Sequence, residues 1–541
     1  MTAARHRVFT AARRAGVGLR ATLVRHRVYA TLVRHRVFAT VLCAGVALRA
    51  SAELGYRFAI WFNDSFDYLE IALRPRPDPM RPMGYPLLLW LVKPLHSLAV
   101  VTSVQHALGL GVAVLVYALL RRFSLPGWAA TLAAAPVLLD AFQVQLEHLL
   151  LADTLFTFLV IAAVAVVCRS PESQAVRTSI WRAAVAGTLL AAAVLTRPIG
   201  IALIVLVICY LGVCRMGWRA ITAASLAACA PLAGYVLWFH ALTGQFAFDS
   251  TDGIYLWGRT AAFADCRVIK PPPSQAWLCP GLPVSQRAAS SSQIWQPTSP
   301  FHWQHGQVFA AEQNSAALRF ALRAIAAQPG AYARTVLAST GRAFTWDRTA
   351  YPTGYTASLY TFAGAKTWLP TWPEPDRRSA AAVARAYADG KAAMVTAEPF
   401  ASAMRWYQRY LYLRGPMLAV ILLIPPAVGL TISLRGRTFS LRGRSTEGRS
   451  AADPVAAALR RMSWLCWCSA AALLVIPPVT VDFDYRYVLP VVPFGCLAAA
   501  LAVLRLAVFA GGTDAGQNPG RAGTSAAASM RTVHELTRSD S

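Results

Sequence analysis

The sequence predicts an all-α polytopic membrane protein of about ten transmembrane helices, with a mainly helical and irregular extracytoplasmic segment between the seventh and the eighth. Three observations carry that expectation. Of 541 residues, 56% are hydrophobic and 14% charged, whereas soluble domains carry roughly 25% charged residues. Apolar runs of roughly 20 residues recur along the chain, long enough to cross the hydrocarbon core of a bilayer. Arginines gather in short stretches beside those runs, where the charges that orient membrane helices sit. The same placement turns the formal net charge of +27 away from nucleic acid and towards topology.

Residues 1–36 form a basic, acid-free arm in which Arg5-His6-Arg7-Val8 returns as Arg25-His26-Arg27-Val28 and Arg34-His35-Arg36-Val37. Directly before an apolar run, the arm reads as a cytoplasmic anchor lying along anionic lipid. Apolar spans follow at roughly 37–58, 100–120, 125–141, 148–168, 182–196, 199–214, 220–240, 411–433, 462–480 and 488–509. Transmembrane helices 1–7 are thus expected within 37–240 and helices 8–10 within 411–510. The stretch 241–410 lies between them outside, and 511–541 forms a disordered cytoplasmic tail.

With the N-terminus inside, Arg121-Arg122, Arg169, Arg177, Arg182, Arg215, Arg219 and the cluster from Arg435 to Arg461 face the cytoplasm, as the positive-inside bias requires. The connections left outside are the first outer loop (61–86), Asp140 to Glu147, Arg197-Pro198, the segment 241–410 and Asp482 to Tyr487. The expected location is the cell membrane, with both termini cytoplasmic and the ionisable residues gathered on the other side.

Within the outer segment, Pro and Ser dominate from Pro271 to Pro300, and Ala316 to Thr345 reads as helix broken at Pro329-Gly330. Trp406, Tyr407, Tyr410 and Tyr412 read as an interfacial aromatic belt before the next span. Cys266 and Cys279 share the polar, Pro-rich part of this segment. In an oxidising compartment they are expected to form a disulfide, while the cysteines inside apolar runs read as small buried hydrophobes.

The first outer loop contains Asp64, Asp67 and Glu70 at helical i, i+3 spacing, followed by Arg74, Arg76, Asp78 and Arg81. Two carboxylates on one helix face at the bilayer surface suit general-base chemistry; the alternative is a solvated loop holding its own arginines. Other outer loops add Glu147-His148 and Asp153, Arg197-Pro198, and Asp482-Phe483-Asp484-Tyr485-Arg486-Tyr487. The Asp482-x-Asp484 pattern also mimics a metal–nucleotide-sugar site, a short match that recurs by chance. No phosphate-cradling Gly-rich loop and no metal motif is present, so no cofactor is expected, with a divalent cation bridging the acids left open. What these loops share is a side of the membrane, as a composite site requires.

These residues resemble the GT-C superfamily of membrane glycosyltransferases, in particular the bacterial relatives of dolichyl-phosphate-mannose protein mannosyltransferases and aminoarabinose transferases. The resemblance rests on Asp64-Ser65-x-x-Tyr68, Arg81-Pro82-x-Gly84-Tyr85-Pro86, Gln105-His106, Glu147 through Asp153-Thr154-Leu155-Phe156, Thr196-Arg197-Pro198, Gln328-Pro329 and Arg486-Tyr487-x-x-Pro490, in that order. It implies sugar transfer from a polyprenyl-phosphate donor to a protein, lipid or polysaccharide acceptor, with Asp64 as base and Arg81 on the phosphate. Asp67 and Glu147 would assist in catalysis, and Tyr85, His148, Arg197, Arg486 and Tyr487 would bind substrate. A lipid-linked sugar flippase or transporter is the alternative. Its ionisable residues belong near the bilayer midplane rather than at one surface.

Overall fold

The computed structural model describes residues 35–168, 180–296, 299–301, 310–364, 379–390, 392–441 and 454–515, the side chains of 436–441 and 511–515 excepted. Most of the basic arm, Arg169, Arg177, the middle of the Arg435–Arg461 cluster (442–453) and most of the tail lie outside the described residues.

Helices dominate the described residues. Six are long and apolar enough to cross a membrane: Arg36–Gly55, Leu98–Arg122, Trp218–Thr243, Gly415–Arg435, Pro454–Thr480 and Tyr485–Ala510. A seventh span is made if Gly127–Leu139 and Ala141–His148, bent by 50° at Asp140, count together. Among the described residues, six or seven of the expected ten spans are thus long enough. The remaining apolar runs are helical too, as Asp153–Val167, Ile180–Thr196 and Gly200–Val213. At 1.5 Å per residue their described parts are about 21–26 Å long, against the roughly 30 Å hydrocarbon core.

Hydropathy cannot see the cap that creates the bend. Asp140 Oδ1 accepts hydrogen bonds from the Phe142 and Gln143 N–H groups at 2.8 and 3.0 Å, which starts a helix, Ala141–His148, where the sequence reads as an outer connection. Asp140 Oδ2 accepts from the Leu413 N–H at 2.7 Å. The bend is thereby tied to the entrance of the Gly415–Leu441 helix.

Ile180–Thr196 packs along Trp218–Thr243 and Asp153–Val167, and Pro454–Thr480 along Val491–Ala515. Small residues let these backbones approach, the device that replaces the hydrophobic effect where the solvent is lipid. At Gly187 a Cβ would run into the Ala224 backbone.

Outside the bundle, Asp252–Ala261 and Ala311–Ala327 pack around buried Trp257 and Phe320, each such side chain contributing about 1.5–3 kcal/mol. Cys266 and Cys279 are joined by a disulfide beside this small core. Two-residue strands, Tyr56–Arg57 and Val395–Thr396, pair antiparallel with Tyr56 opposite Thr396. They tie the chain just before the first outer loop to the far end of the outer segment. Of the aromatic residues before the Gly415–Leu441 helix, Trp406 and Tyr410 are exposed, while the Tyr407 hydroxyl turns inward and donates to the Leu139 carbonyl.

Candidate functional site

The first outer loop enters its helix, Asn63–Leu73, through Ser65. The Phe62 N–H donates to Ser65 Oγ at 3.0 Å and that hydroxyl donates to the Leu150 carbonyl at 3.0 Å. Just upstream, Ile60 bridges Leu149 in parallel and its N–H donates to the His148 carbonyl at 3.2 Å. A Ser directly after the acid thus fixes the helix start against a neighbouring backbone and places Asp64 in the first turn.

Around Asp64 the structure gathers residues from four separated loops. Arg81 Nη2 donates to Asp64 Oδ1 at 2.6 Å, and Arg486 Nη1 donates to Oδ2 at 2.9 Å. Arg81 Nε stands 3.5 Å from Asp67 Oδ2 and Arg486 Nε 3.4 Å from Asp484 Oδ2. Arg197 pairs with Asp153 and lies over the Tyr487 ring, 4.7 Å from its centroid. Phe62 backs Arg486 at 4.8 Å and Tyr68 backs Arg81 at 5.9 Å, both contacts of the cation–π kind.

Burial pushes the Asp64 carboxyl towards neutrality, but Arg81, Arg486 and Arg197 outweigh it and hold the group below the usual carboxylate range. Burial pushes Asp484 up despite Arg486. Asp64, Asp67, Arg81, Arg197, Arg486 and Tyr487 are therefore brought together, each of the charged side chains keeping 11–18% of its surface exposed.

Tyr85 stands one layer back. Its ring packs edge-on against Tyr68 at 4.9 Å and its hydroxyl donates to Gln105 Oε1 at 2.5 Å. That arrangement buries Tyr85 behind Tyr68.

Glu147 and His148 lie elsewhere, in a second polar cluster that is closed. Arg49 holds Glu147 bidentately, Nε to Oε2 at 2.7 Å and Nη2 to Oε1 at 2.8 Å. Gln143 Nε2 donates to Oε1 at 3.0 Å, and the His106 Nδ1–H donates to Oε2 at 3.0 Å. At Gly109 a Cβ would collide with the Glu147 carboxylate, so that glycine makes the room. Arg49 is invisible to a reading that searches loops, because it sits inside the first apolar run. The signal was present all the same, since an arginine in such a run needs a counter-ion.

His148 Nε2–H donates to the Tyr56 carbonyl at 2.7 Å, leaving its Nδ1 facing His106 Nε2 at 3.1 Å. Glu53, His106 and His148 present donor atoms within 4.8 Å of one another, close enough for a metal ion by proximity. The ring centroids are 5.4 Å apart, which is about the N···N distance plus both ring radii. The two nitrogens therefore point at one another along a line.

The Asp482-x-Asp484 pair serves as an anchor. Asp482 accepts from the Tyr351 hydroxyl at 2.6 Å and the Ser291 N–H at 2.9 Å, and Asp484 from the Tyr360 hydroxyl at 2.7 Å and the Arg486 N–H at 3.1 Å. Both acids hold the outer segment over the turn that carries Arg486. Nothing in the sequence pairs those tyrosines with these acids, because more than 120 residues separate them.

No family model and no curated protein matches the chain. Among solved structures, the apo form of the Archaeoglobus fulgidus oligosaccharyltransferase aligns at a TM-score of 0.34 and 13% sequence identity, over 93% of this chain and 56% of that one. The chain spans little more than half the length of that protein.

Proposed function

We propose that the chain is a membrane glycosyltransferase that moves a sugar from a polyprenyl-phosphate donor to an acceptor hydroxyl at the outer face of the membrane, with inversion. One observation carries the reading: the Asp64 carboxylate is held between the guanidiniums of Arg81 and Arg486 in a charged cluster that water reaches. The motif order shared with the GT-C superfamily supports the same assignment.

In the reaction Asp64 takes the acceptor's proton as the acceptor oxygen bonds to the anomeric carbon, and the bond from that carbon to the phosphate oxygen breaks. The phosphate leaves as an anion, so it needs cations more than a proton, and Arg81 and Arg486 supply planar, bidentate donors. Asp67, beside Arg81, orients the acceptor, and Arg197 with Tyr487 flanks the leaving group. Glu147 and His148 support the loop from behind instead of touching substrate. The acceptor is a hydroxyl of a protein, lipid or polysaccharide.

The test is turnover of a purified polyprenyl-phosphate sugar by the wild type and by Asp64→Asn. A general base contributes about 10² to 10⁴ in rate, so the variant loses that factor while staying folded. Near-normal turnover by Asp64→Asn sinks the mechanism. A wild type that transfers no sugar but moves the lipid across vesicles is a flippase.

A further inference from the structure

The two arginines that the proposed reaction needs for phosphate are engaged by the carboxylate that it needs as a base. Arg81 caps one oxygen of Asp64 at 2.6 Å and Arg486 caps the other at 2.9 Å. A carboxylate with a charge-assisted hydrogen bond on each oxygen is a poor proton acceptor. In this arrangement the base is silenced by its own phosphate clamp.

The clamp has donors in reserve. Arg81 Nε and Arg486 Nε are buried and make no hydrogen bond among the described residues, standing only at ion-pair range from Asp67 and Asp484. The donor's phosphodiester presents two charged oxygens on tetrahedral phosphorus, which can accept from both guanidiniums along the N–H vectors that one carboxylate leaves unused. Phe62 and Tyr68 support the two guanidiniums through their rings, so small rotations turn the forks without loss of packing. Once the forks turn, Asp64 keeps its charge but loses its counter-ions, and its affinity for a proton rises.

We infer that the donor's phosphate and the Asp64 carboxylate compete for Arg81 and Arg486, so that the donor binds first and, by taking the arginines, releases Asp64 to act as base. This rests on the glycosyltransferase reading and adds an obligatory order to it: donor, then acceptor. It also makes sugar transfer conditional, since no acceptor is deprotonated at an empty donor site.

Competition has a consequence opposite to what a binding residue would give, because neutralising Asp64 improves phosphate binding. The experiment measures the affinity of farnesyl phosphate, with inorganic phosphate as the second probe, for detergent-purified full-length wild type, Asp64→Asn and Arg81→Gln. Farnesyl phosphate is expected to bind Asp64→Asn about tenfold tighter than wild type and Arg81→Gln more weakly. Equal or weaker binding to Asp64→Asn overturns the competition and leaves the donor reading standing. Failure of every protein to bind farnesyl phosphate overturns the donor reading, and the competition falls with it. Equal gains for both probes support the competition and assign the anion to free phosphate; a gain for farnesyl phosphate alone assigns it to a lipid head group.

A second measurement on the wild type does not depend on a variant folding. A carbodiimide, which reacts with protonated carboxyls, should label Asp64 more readily when farnesyl phosphate is present, as read by peptide mass spectrometry. Protection of Asp64 by farnesyl phosphate overturns the inference.

Discussion

Two carboxylate–arginine clusters stand close together in this protein, joined by the backbone contact of Ile60 with His148 and Leu149, and they differ in one respect that separates chemistry from support. Around Glu147 every oxygen is occupied, Arg49 is 3% exposed and the carboxylate fully buried. Around Asp64 the partners are as short, yet Asp64 keeps 11% and Arg81 15% exposure, and two guanidinium Nε donors remain unused. A closed cluster with all its donors matched has nothing to offer a ligand. An open one with donors to spare does, and solvent access rather than the strength of the ion pair distinguishes them.

The sharpest way to break that comparison is to neutralise each acid in turn. Asp64→Asn should lower sugar transfer by about 10² to 10⁴ with little change in the apparent melting temperature of the detergent-solubilised protein. Glu147→Gln should do the reverse at first order. Leaving Arg49 buried without its counter-charge costs about 3–5 kcal/mol, visible as a lowered melting temperature and poor expression. The double replacement Arg49→Met with Glu147→Leu should restore most of that loss, because removing both charges also removes their desolvation cost. If the double replacement folds but transfers no sugar, the closed cluster has a role beyond support and the distinction drawn from exposure fails.

A smaller effect is expected from the second row of the open cluster. Tyr85→Phe removes the hydrogen bond to Gln105, worth about 1 kcal/mol net, and leaves the ring that orients Tyr68. Transfer should fall no more than severalfold, and donor affinity should stay within twofold of wild type in the same binding assay. A loss as deep as that of Asp64→Asn would move Tyr85 from the supporting layer into contact with substrate.

What the sequence makes legible follows from the range over which its signals act. Apolar runs announce helices, because burial of a run in lipid depends on the run alone; all ten expected segments are helical, although only six or seven spans are long enough. Length is lost where a polar cap intervenes. Asp140 looks like a loop residue and in fact starts the buried helix Ala141–His148. At the site, Asp64, Arg81 and Arg486 are readable because charges at the ends of apolar runs share one side of the membrane. Their partnership across 422 residues is not readable, nor is the diversion of Glu147 to Arg49, since an ion pair between distant segments leaves no periodic trace. The tyrosine anchors on Asp482 and Asp484 escape for the same reason.

The smallest expected effect concerns a carboxyl near the site that has no arginine of its own. Asp249 is buried, and its Oδ1 accepts from the Thr251 N–H at 3.0 Å and the Thr251 hydroxyl at 2.6 Å. Burial, helped by neighbouring Asp252, pushes its pKa from 3.8 up to about 6. A folded-state value above the unfolded one means that the native protein binds the extra proton. The stabilisation it brings is complete below pH 4 and is lost as the pH rises through about 6. At pH 7 the buried charge is therefore a burden with a ceiling of about 3 kcal/mol, two pKa units at 1.36 each, which hydrogen bonds and local relaxation reduce. Asn at this position keeps the acceptor for Thr251 and carries no charge. Asp249→Asn should raise the apparent melting temperature at pH 7 by a few degrees, and the gain should shrink towards zero at pH 4, where Asp249 is largely neutral. A gain that persists unchanged at pH 4 would trace the effect to packing, and a loss at pH 7 would mean that the ionised carboxylate has a cation partner, with Arg81 the first to examine because its charge already acts on Asp249.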